Sequence, residues 1–319
     1  MKIAIVGLGH VANHHQRALE EVDGVELVAV CDNNPEKLEE FDIPSFEDVG
    51  AMLQNTEAEA VLIATPNPQH VPVAEKVVES GRHALVEKPV AKSMSDLGNL
   101  LKKADNEGVI AYSLFHHAFT EELLWWLKNG EKVEKKYNLG NLTRVQAGFY
   151  DPYLQDGEAT QSARTLEGSF IDSGINQFSY ILRFLSNLQI QDTRFVTDHD
   201  YENVEEIKGT VWLRGKDQNG DQCEVILDTD WRRNLNRKTI RLTYDSGAEV
   251  VLDNSGQMVE LKPFKTSTFT LKEFDKYERM DAHYVNVFED FLEHYRKGED
   301  NRSFSRECHR LYFKALSEK

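Results

Sequence analysis

Lys2-Ile3-Ala4-Ile5-Val6-Gly7-Leu8-Gly9-His10-Val11-Ala12 is the stretch from which the fold of this chain is read. The first five residues form a short apolar run rich in β-branched side chains. Two glycines follow, and from His10 a helical pattern runs through Ala18 and Leu19. The pattern predicts strand, tight turn and helix. A second apolar run, Leu27-Val28-Ala29-Val30-Cys31, ends at Asp32. In such a unit Gly7 permits the turn, Gly9 lets the backbone approach a pyrophosphate, and Ala12 lets the helix pack close to the sheet. The helix start, with His10 and Val11, faces the phosphates, and the acid that ends the second strand meets the ribose hydroxyls. These residues point to a dinucleotide. The plainer reading of Asp32 is a turn residue before Asn33-Asn34-Pro35.

A carboxylate accepts hydrogen bonds from a ribose diol and repels a 2′-phosphate, so Asp32 predicts NAD over NADP. Neither Asn33 nor Asn34 supplies a cation, and NADP stays open only through a more distant Arg or Lys.

Strand and helix signals keep alternating: strands at 60–64, 83–86 and 109–112, helices at 69–79 and 95–106. This is the rhythm of an α/β, doubly wound parallel sheet, and it stops near residue 118. Beyond it come a helix over 120–127, a strand over 142–150, a long polar stretch and a helix after Gly174. Strands then follow around 190–196, 207–215, 223–230, 238–244 and 249–253, and helices close the chain over 280–295 and 305–317. Short turns such as Asp217-Gln218-Asn219-Gly220 imply antiparallel pairing. The expectation is a Rossmann domain over 1–118, followed by an α+β domain over 119–319 with a large, mostly antiparallel sheet.

Composition agrees. The 319 residues are 40% hydrophobic, enough for two cores. With 37 basic against 54 acidic residues, the net charge of −17 argues against nucleic acid or an anionic membrane as partner. Cys31, Cys223 and Cys308 lie far apart without metal spacing, and no disulfide framework is expected. The N-terminus is already the first strand and no apolar run is long enough to span a bilayer, so the expectation is a cytoplasmic protein. His116 or His117 with Glu121 mimics metal spacing, but no third ligand is evident and no metal is predicted.

Val86-Glu87-Lys88-Pro89 follows a strand end, at the edge where α/β sheets bind ligands. Oxidising an alcohol needs a hydride acceptor, a proton acceptor and donors that orient the oxygen. Lys88 suits the last role, and Glu87 either holds it or forms a simple ion pair. In the second half, Asp172 and Asn176 are four apart and could share one side of a helix, unless Asp172 merely caps it.

The combination Ala64-Thr65-Pro66-Asn67-Pro68-Gln69-His70 with Gly81-Arg82-His83-Ala84-Leu85-Val86-Glu87-Lys88-Pro89 resembles the signature of the Gfo/Idh/MocA oxidoreductases. The resemblance implies NAD or NADP held by the glycine turn, Asp32, Thr65, Pro66, Asn67, His70, Glu87 and Lys88. It also implies a sugar or polyol substrate and a sheet domain whose open face joins subunits into a homodimer or homotetramer. Many members carry Gly-Gly, then Asp, then His four residues on. This chain has Glu167-Gly168, Asp172, and Asn176 for that His, and an amide cannot take a proton near neutral pH.

The Asp-x-Gly-Ile-Asn pattern is similar to the branch that oxidises L-arabinose or D-galactose at the anomeric carbon. That likeness places Asp172 and Asn176 at the anomeric region, as catalytic residues beside the Lys88 of the Glu-Lys-Pro context, and adds His116 as a sugar contact. Around Tyr150-Asp151-Pro152-Tyr153 the branch's other sugar ligands are not matched. Trp231-Arg232-Arg233, following a strand, could face a substrate or another subunit; the resemblance favours the substrate, with Arg232 serving an acidic sugar. Two alternatives stand beside anomeric oxidation: chemistry at another carbon of an inositol, nucleotide sugar or diol, and a non-catalytic cofactor or sugar sensor.

Overall fold

β1 (Lys2–Val6) is buried along all of its length except its first residue, as the central strand of a covered sheet must be. In this computed structural model, which describes residues 1–155, 158–198, 200–233, 235–264, 267–274 and 278–318, β1 is followed by α1 (His10–Glu21) and β2 (Glu26–Cys31). Then come α2 (Pro35–Leu38), β3 (Ser45–Phe46), α3 (Val49–Asn55), β4 (Ala60–Ile63), α4 (His70–Glu79), β5 (His83–Glu87), α5 (Met94–Glu107) and β6 (Ala111–Leu114). The six strands form one sheet in the order β3-β2-β1-β4-β5-β6, with every pairing parallel. The order reverses between β1 and β4, which opens a crevice at their carboxyl ends. The helix signals in the sequence match real caps: Ser93 accepts from the Asp96 amide, and Gly108 closes α5 in the left-handed region at φ 68°.

The remaining elements are α6 (Glu121–Tyr137), β7 (Leu142–Tyr150), a small pair β8 (Leu154–Gln155) and β9 (Glu158–Ala159), α7 (Gln161–Leu166) and α8 (Ser169–Ile181). They are followed by β10 (Ser186–Val196), β11 (Lys208–Lys216), β12 (Gln222–Asp230), β13 (Arg237–Tyr244), β14 (Glu249–Asp253), β15 (Met258–Lys262) and β16 (Phe269–Glu273), then α9 (Arg279–Lys297) and α10 (Arg302–Ser317). Eight strands make a sheet in the order β10-β11-β12-β7-β13-β14-β15-β16. Every pairing in it is antiparallel except β12 with β7, which run parallel.

Three details differ from the sequence expectation. α6 continues ten residues past 127, because Gly130 does not end the helix but lies under the Trp126 ring, where a Cβ would come within 2.8 Å. β15 and β16 extend the sheet beyond the last expected strand. α8 begins at Ser169 rather than near Asp172 or after Gly174.

The described chain divides into two compact units, one of Met1–His116 with Met280–Arg310 and one of His117–Arg279 with the residues from Leu311 onward. The expected second domain of 119–319 therefore loses 280–310 to the first unit. Aromatic packing is the reason: the Tyr284 ring centroid lies 4.0 Å from that of His15, and Phe291 lies 5.4 Å from Tyr112. Tyr284, Val287, Phe288 and Phe291 are all buried at helical spacing along α9.

Candidate functional site

In the first unit the turn after β1 lies directly against the turn after β4. A Cβ on Gly7 would sit 2.7 Å from the Ala64 carbonyl and the Thr65 nitrogen, and its φ is +93°. Only glycine fits both conditions. Gly9, the N-cap of α1, has nothing within 4 Å of where its Cβ would be. No side chain caps the helix start and its first turn carries no acid. The amides there are left for an anionic ligand, as a pyrophosphate site requires. His10 is exposed and Val11 half-buried at the same helix start, while Ala12 is buried.

Asp32 is 8% exposed, and its oxygens are well used. Oδ2 accepts from the Leu8 amide (2.7 Å) and the Lys37 ammonium (3.2 Å), and Oδ1 accepts from the Asn34 amide (2.9 Å). Burial alone would raise its pKa, but these donors and the Lys37 charge outweigh burial and hold it below the usual carboxylate range. Across the crevice the Thr65 hydroxyl is buried with no hydrogen-bond partner among the described residues. An orphaned buried hydroxyl calls for a ligand group. Pro66 and Asn67 lead into a short 3-10 turn, and His70 is buried beneath it. The two His70 ring nitrogens lie 2.7 Å from the Thr65 carbonyl and 2.8 Å from the Pro89 carbonyl. His70 thus ties together the loops after β4 and β5, and both of its polar atoms already face backbone.

Glu87 is likewise an organiser. Its carboxylate lies 3.0 Å from His15 Nε2, accepts from the Tyr284 hydroxyl at 2.6 Å and accepts the Lys88 amide at 3.0 Å. Burial pushes its pKa up, but His15, Tyr284 and the Lys88 charge outweigh that and the net direction is down. Lys88 is half-buried, and a cis peptide joins it to Pro89. Thus α1, α9 and the Glu87-Lys88-Pro89 segment meet on one buried carboxylate. His116 is buried, with Nδ1 3.4 Å from His283 Nδ1 and its ring 5.1 Å from that of Tyr284.

In the second unit, α8 carries Asp172 and Asn176. At the start of α8 the amides that a cap would take go to Glu206. Its Oε1 accepts from the Phe170 amide (2.5 Å) and the Ile171 amide (3.1 Å), and its carbonyl takes the Ser169 amide (3.0 Å). Asn176 is 4% exposed, and its Oδ1 has no partner among the described residues. An amide oxygen of this kind can accept a hydrogen bond. Ser173 Oγ lies 3.4 Å from both an Asp172 and an Asp151 oxygen, and Asp151 is bound by Lys238 Nζ at 2.5 Å. Burial, with the Asp172 and Asp151 charges close by, drives the Tyr153 phenol far up.

Sequence reading missed Asp151, His15, Lys37 and Glu206. Asp151 directly follows a strand end, which was a usable signal, but its partner Lys238 lies 87 residues away. Arg232 was expected as a contact for an acidic sugar. Its guanidinium and amide instead bind Asp230 at 2.8–3.0 Å, and Trp231 is wholly buried. Among the described residues no group of three His, Cys, Asp or Glu could hold a metal, no helix is long and apolar enough to cross a membrane, and the three cysteines are free and buried.

Residues 1–116 match the family described as "Oxidoreductase family, NAD-binding Rossmann fold" (GFO_IDH_MocA). The chain is 32% identical to the D-apiose dehydrogenase of Paraburkholderia graminis over 113 residues, 34% of this chain and 30% of that protein. It is 20% identical to the myo-inositol 2-dehydrogenase of Thermotoga maritima over 264 residues, 81% of this chain and 70% of that one. The alignment to the apiose enzyme therefore spans about a third of each chain. In fold the chain resembles an oxidoreductase from Agrobacterium radiobacter solved with NAD+, L-tartaric acid and magnesium, with a TM-score of 0.77 at 18% identity, covering 100% of this chain and 96% of that one. It also resembles KijD10, a 3-ketoreductase from Actinomadura kijaniata solved with NADP and TDP-benzene, with a TM-score of 0.79 at 15% identity, covering 100% and 97%.

Proposed function

We propose that this chain, which belongs to the Gfo/Idh/MocA oxidoreductases through residues 1–116, is an NAD(P)-dependent dehydrogenase of sugar or polyol hydroxyls. Its preferred reaction in this reading is oxidation of an aldose at the anomeric carbon to the lactone. The observation that carries this is Asn176: a buried amide oxygen without a partner among the described residues stands where a base is usual, one turn along α8 from Asp172. The glycine turn, Asp32, Thr65, Pro66 and Asn67 would hold the cofactor, with His70 and Glu87 fixing the loops around it. When bound, the nicotinamide supplies the hydride acceptor.

The chain's own groups do the rest. Lys88 donates to the substrate oxygen and stabilises its developing negative charge. Asn176 accepts the hydrogen of a neighbouring hydroxyl, and His116 contacts the sugar. The hydroxyl proton passes to the Asp172 carboxylate. A carboxylate is a weak base, and it suffices best at an anomeric hydroxyl, which is more acidic than a secondary alcohol and whose ring oxygen helps expel hydride.

The long alignment with myo-inositol 2-dehydrogenase favours a second reading, oxidation of a ring carbinol. Self-association would use the open face of the eight-stranded sheet. There Trp212 and Ile226 pair across β11 and β12, and Ile226 pairs with Gln146 of β7. A homodimer or homotetramer is expected by light scattering.

The test supplies free aldoses, their methyl glycosides and polyols with NAD or NADP and follows nicotinamide absorbance. Reduction with an aldose but not its glycoside supports anomeric oxidation. Turnover that survives the glycoside, or appears only with polyols, gives the second reading. Silence across the panel with tight cofactor binding overturns both.

A further inference from the structure

The second unit holds a cation that its own acids do not use. Arg279 is half-buried there, and its one hydrogen-bond partner among the described residues is Ser255, whose Oγ accepts from Nη1 at 3.1 Å. No described carboxylate lies within ion-pair distance of it. A guanidinium carries its N–H donors in a flat fork, so the edge made by Nε and Nη2 stays open. The acids whose charge reaches Arg279 are Asp151 most of all, then Glu122, Asp253 and the exposed Glu278. The first three are already engaged. Asp151 carries the Lys238 ammonium at 2.5 Å, and Asp253 accepts the Gly256 amide at 2.9 Å with Arg237 at 3.6 Å. Glu122 accepts from the Tyr180 hydroxyl at 3.2 Å, and burial pushes its carboxyl toward the protonated form. Burial outweighs all four charges, and the Arg279 pKa moves down. One neutral hydroxyl does not offset the cost of taking a guanidinium out of water, whereas a carboxylate on the open edge does.

The cation is also tied to α8. Ser255 Oγ accepts the Lys238 amide at 2.7 Å, Lys238 holds Asp151, and Ser173 Oγ lies 3.4 Å from both Asp151 and Asp172. A run of polar contacts therefore leads from Arg279 to Asp172. We infer that Arg279 binds a carboxylate of the substrate through two parallel N–H···O bonds, and that the sugar is an acidic one with its carboxylate away from the reacting carbon, as in a hexuronate. The inference rests on the sugar site proposed above and names its substrate class. Arg232, the cation that the sequence suggests for such a role, is bound to Asp230 instead. A single planar fork, with the neighbouring cation Lys238 committed to Asp151, suits a carboxylate better than a dianionic phosphate.

The test is calorimetric titration of the protein loaded with NADH or NADPH, in which oxidation cannot run. D-glucuronate and D-galacturonate are compared with D-glucose and D-galactose. At least one uronate is expected to bind about tenfold or more tighter than its parent aldose. Arg279→Gln keeps a donor for Ser255 and removes the charge, and it should bring that ratio to within about twofold. Arg279→Lys keeps the charge without the fork and should leave an intermediate ratio, and melting curves check that both variants fold. Three results overturn this inference alone: neither uronate binds tighter than its aldose, the ratio survives Arg279→Gln because both sugars weaken together, or D-glucose 6-phosphate binds tighter than either uronate. Tight uronate binding with no nicotinamide reduction once NAD or NADP replaces the reduced cofactor overturns the dehydrogenase reading and leaves the inference standing. Failure of the native chain to bind any of these sugars overturns the sugar site and the inference together.

Discussion

The two units hold their key carboxylates in opposite ways. Asp32, just after β2, is pinned by two backbone amides and an ammonium, one of the amides from the turn that Gly7 alone can make. Asp172 sits half-buried in the first turn of a helix whose free amides are taken by another acid, Glu206. A carboxylate that binds gains from being immobilised and kept charged. The proposed reading gives binding to the first and chemistry to the second, and it can be broken by experiment.

The largest effect is expected at Lys88. Lys88→Ala should lower turnover about 10²–10³-fold, the scale for deleting one oxyanion donor, while NAD affinity by titration changes little. An equal loss in affinity would make Lys88 a cofactor ligand rather than a group that acts on substrate.

Gly7→Val tests the other side of the contrast. Left-handed backbone and a clash with the Ala64 and Thr65 backbone together cost about 2–5 kcal/mol. The variant should melt lower and lose NAD binding even where it stays folded. Retained binding would show that the turn yields without harm.

Glu87→Gln comes next. The buried carboxylate answers to His15, Tyr284 and the Lys88 amide, and removing its charge should cost about 2–4 kcal/mol. Its pKa is lower in the folded protein, so its stabilisation is complete above the unfolded value near about 4.3 and is lost as pH falls through the lower folded value. Urea melts between pH 6 and the acid limit should therefore slope less in the variant, and parallel slopes would remove Glu87 from the acid response.

The same contrast explains what was legible in the sequence. The first unit follows from local signals: the run 2–12, the acid ending β2 and the Glu-Lys-Pro after β5 each read within a dozen residues, because backbone geometry binds the ligand there. The clusters around Glu87 and Asp151 join residues far apart, and no periodicity predicts that His15 meets Tyr284 or Asp151 meets Lys238. The return of α9 to the first unit was hidden for the same reason, since its apolar stripe shows that it packs but not where.

The smallest effect separates the cap from the reacting acid. Glu206→Ala removes an acceptor from the Phe170 and Ile171 amides and should cost about 1–2 kcal/mol, the range for losing a helix cap. Asp172→Ala should cost less than about 1 kcal/mol yet lower turnover about 10²-fold, the scale for removing a general base. Asp172 is four residues into α8, and the amides at the start of that helix, those of Phe170 and Ile171, go to Glu206. Denaturant melts of the two variants beside turnover decide the matter. A stability loss at Asp172 as large as at Glu206 would return it to the role of a cap and leave the second unit without its proton acceptor.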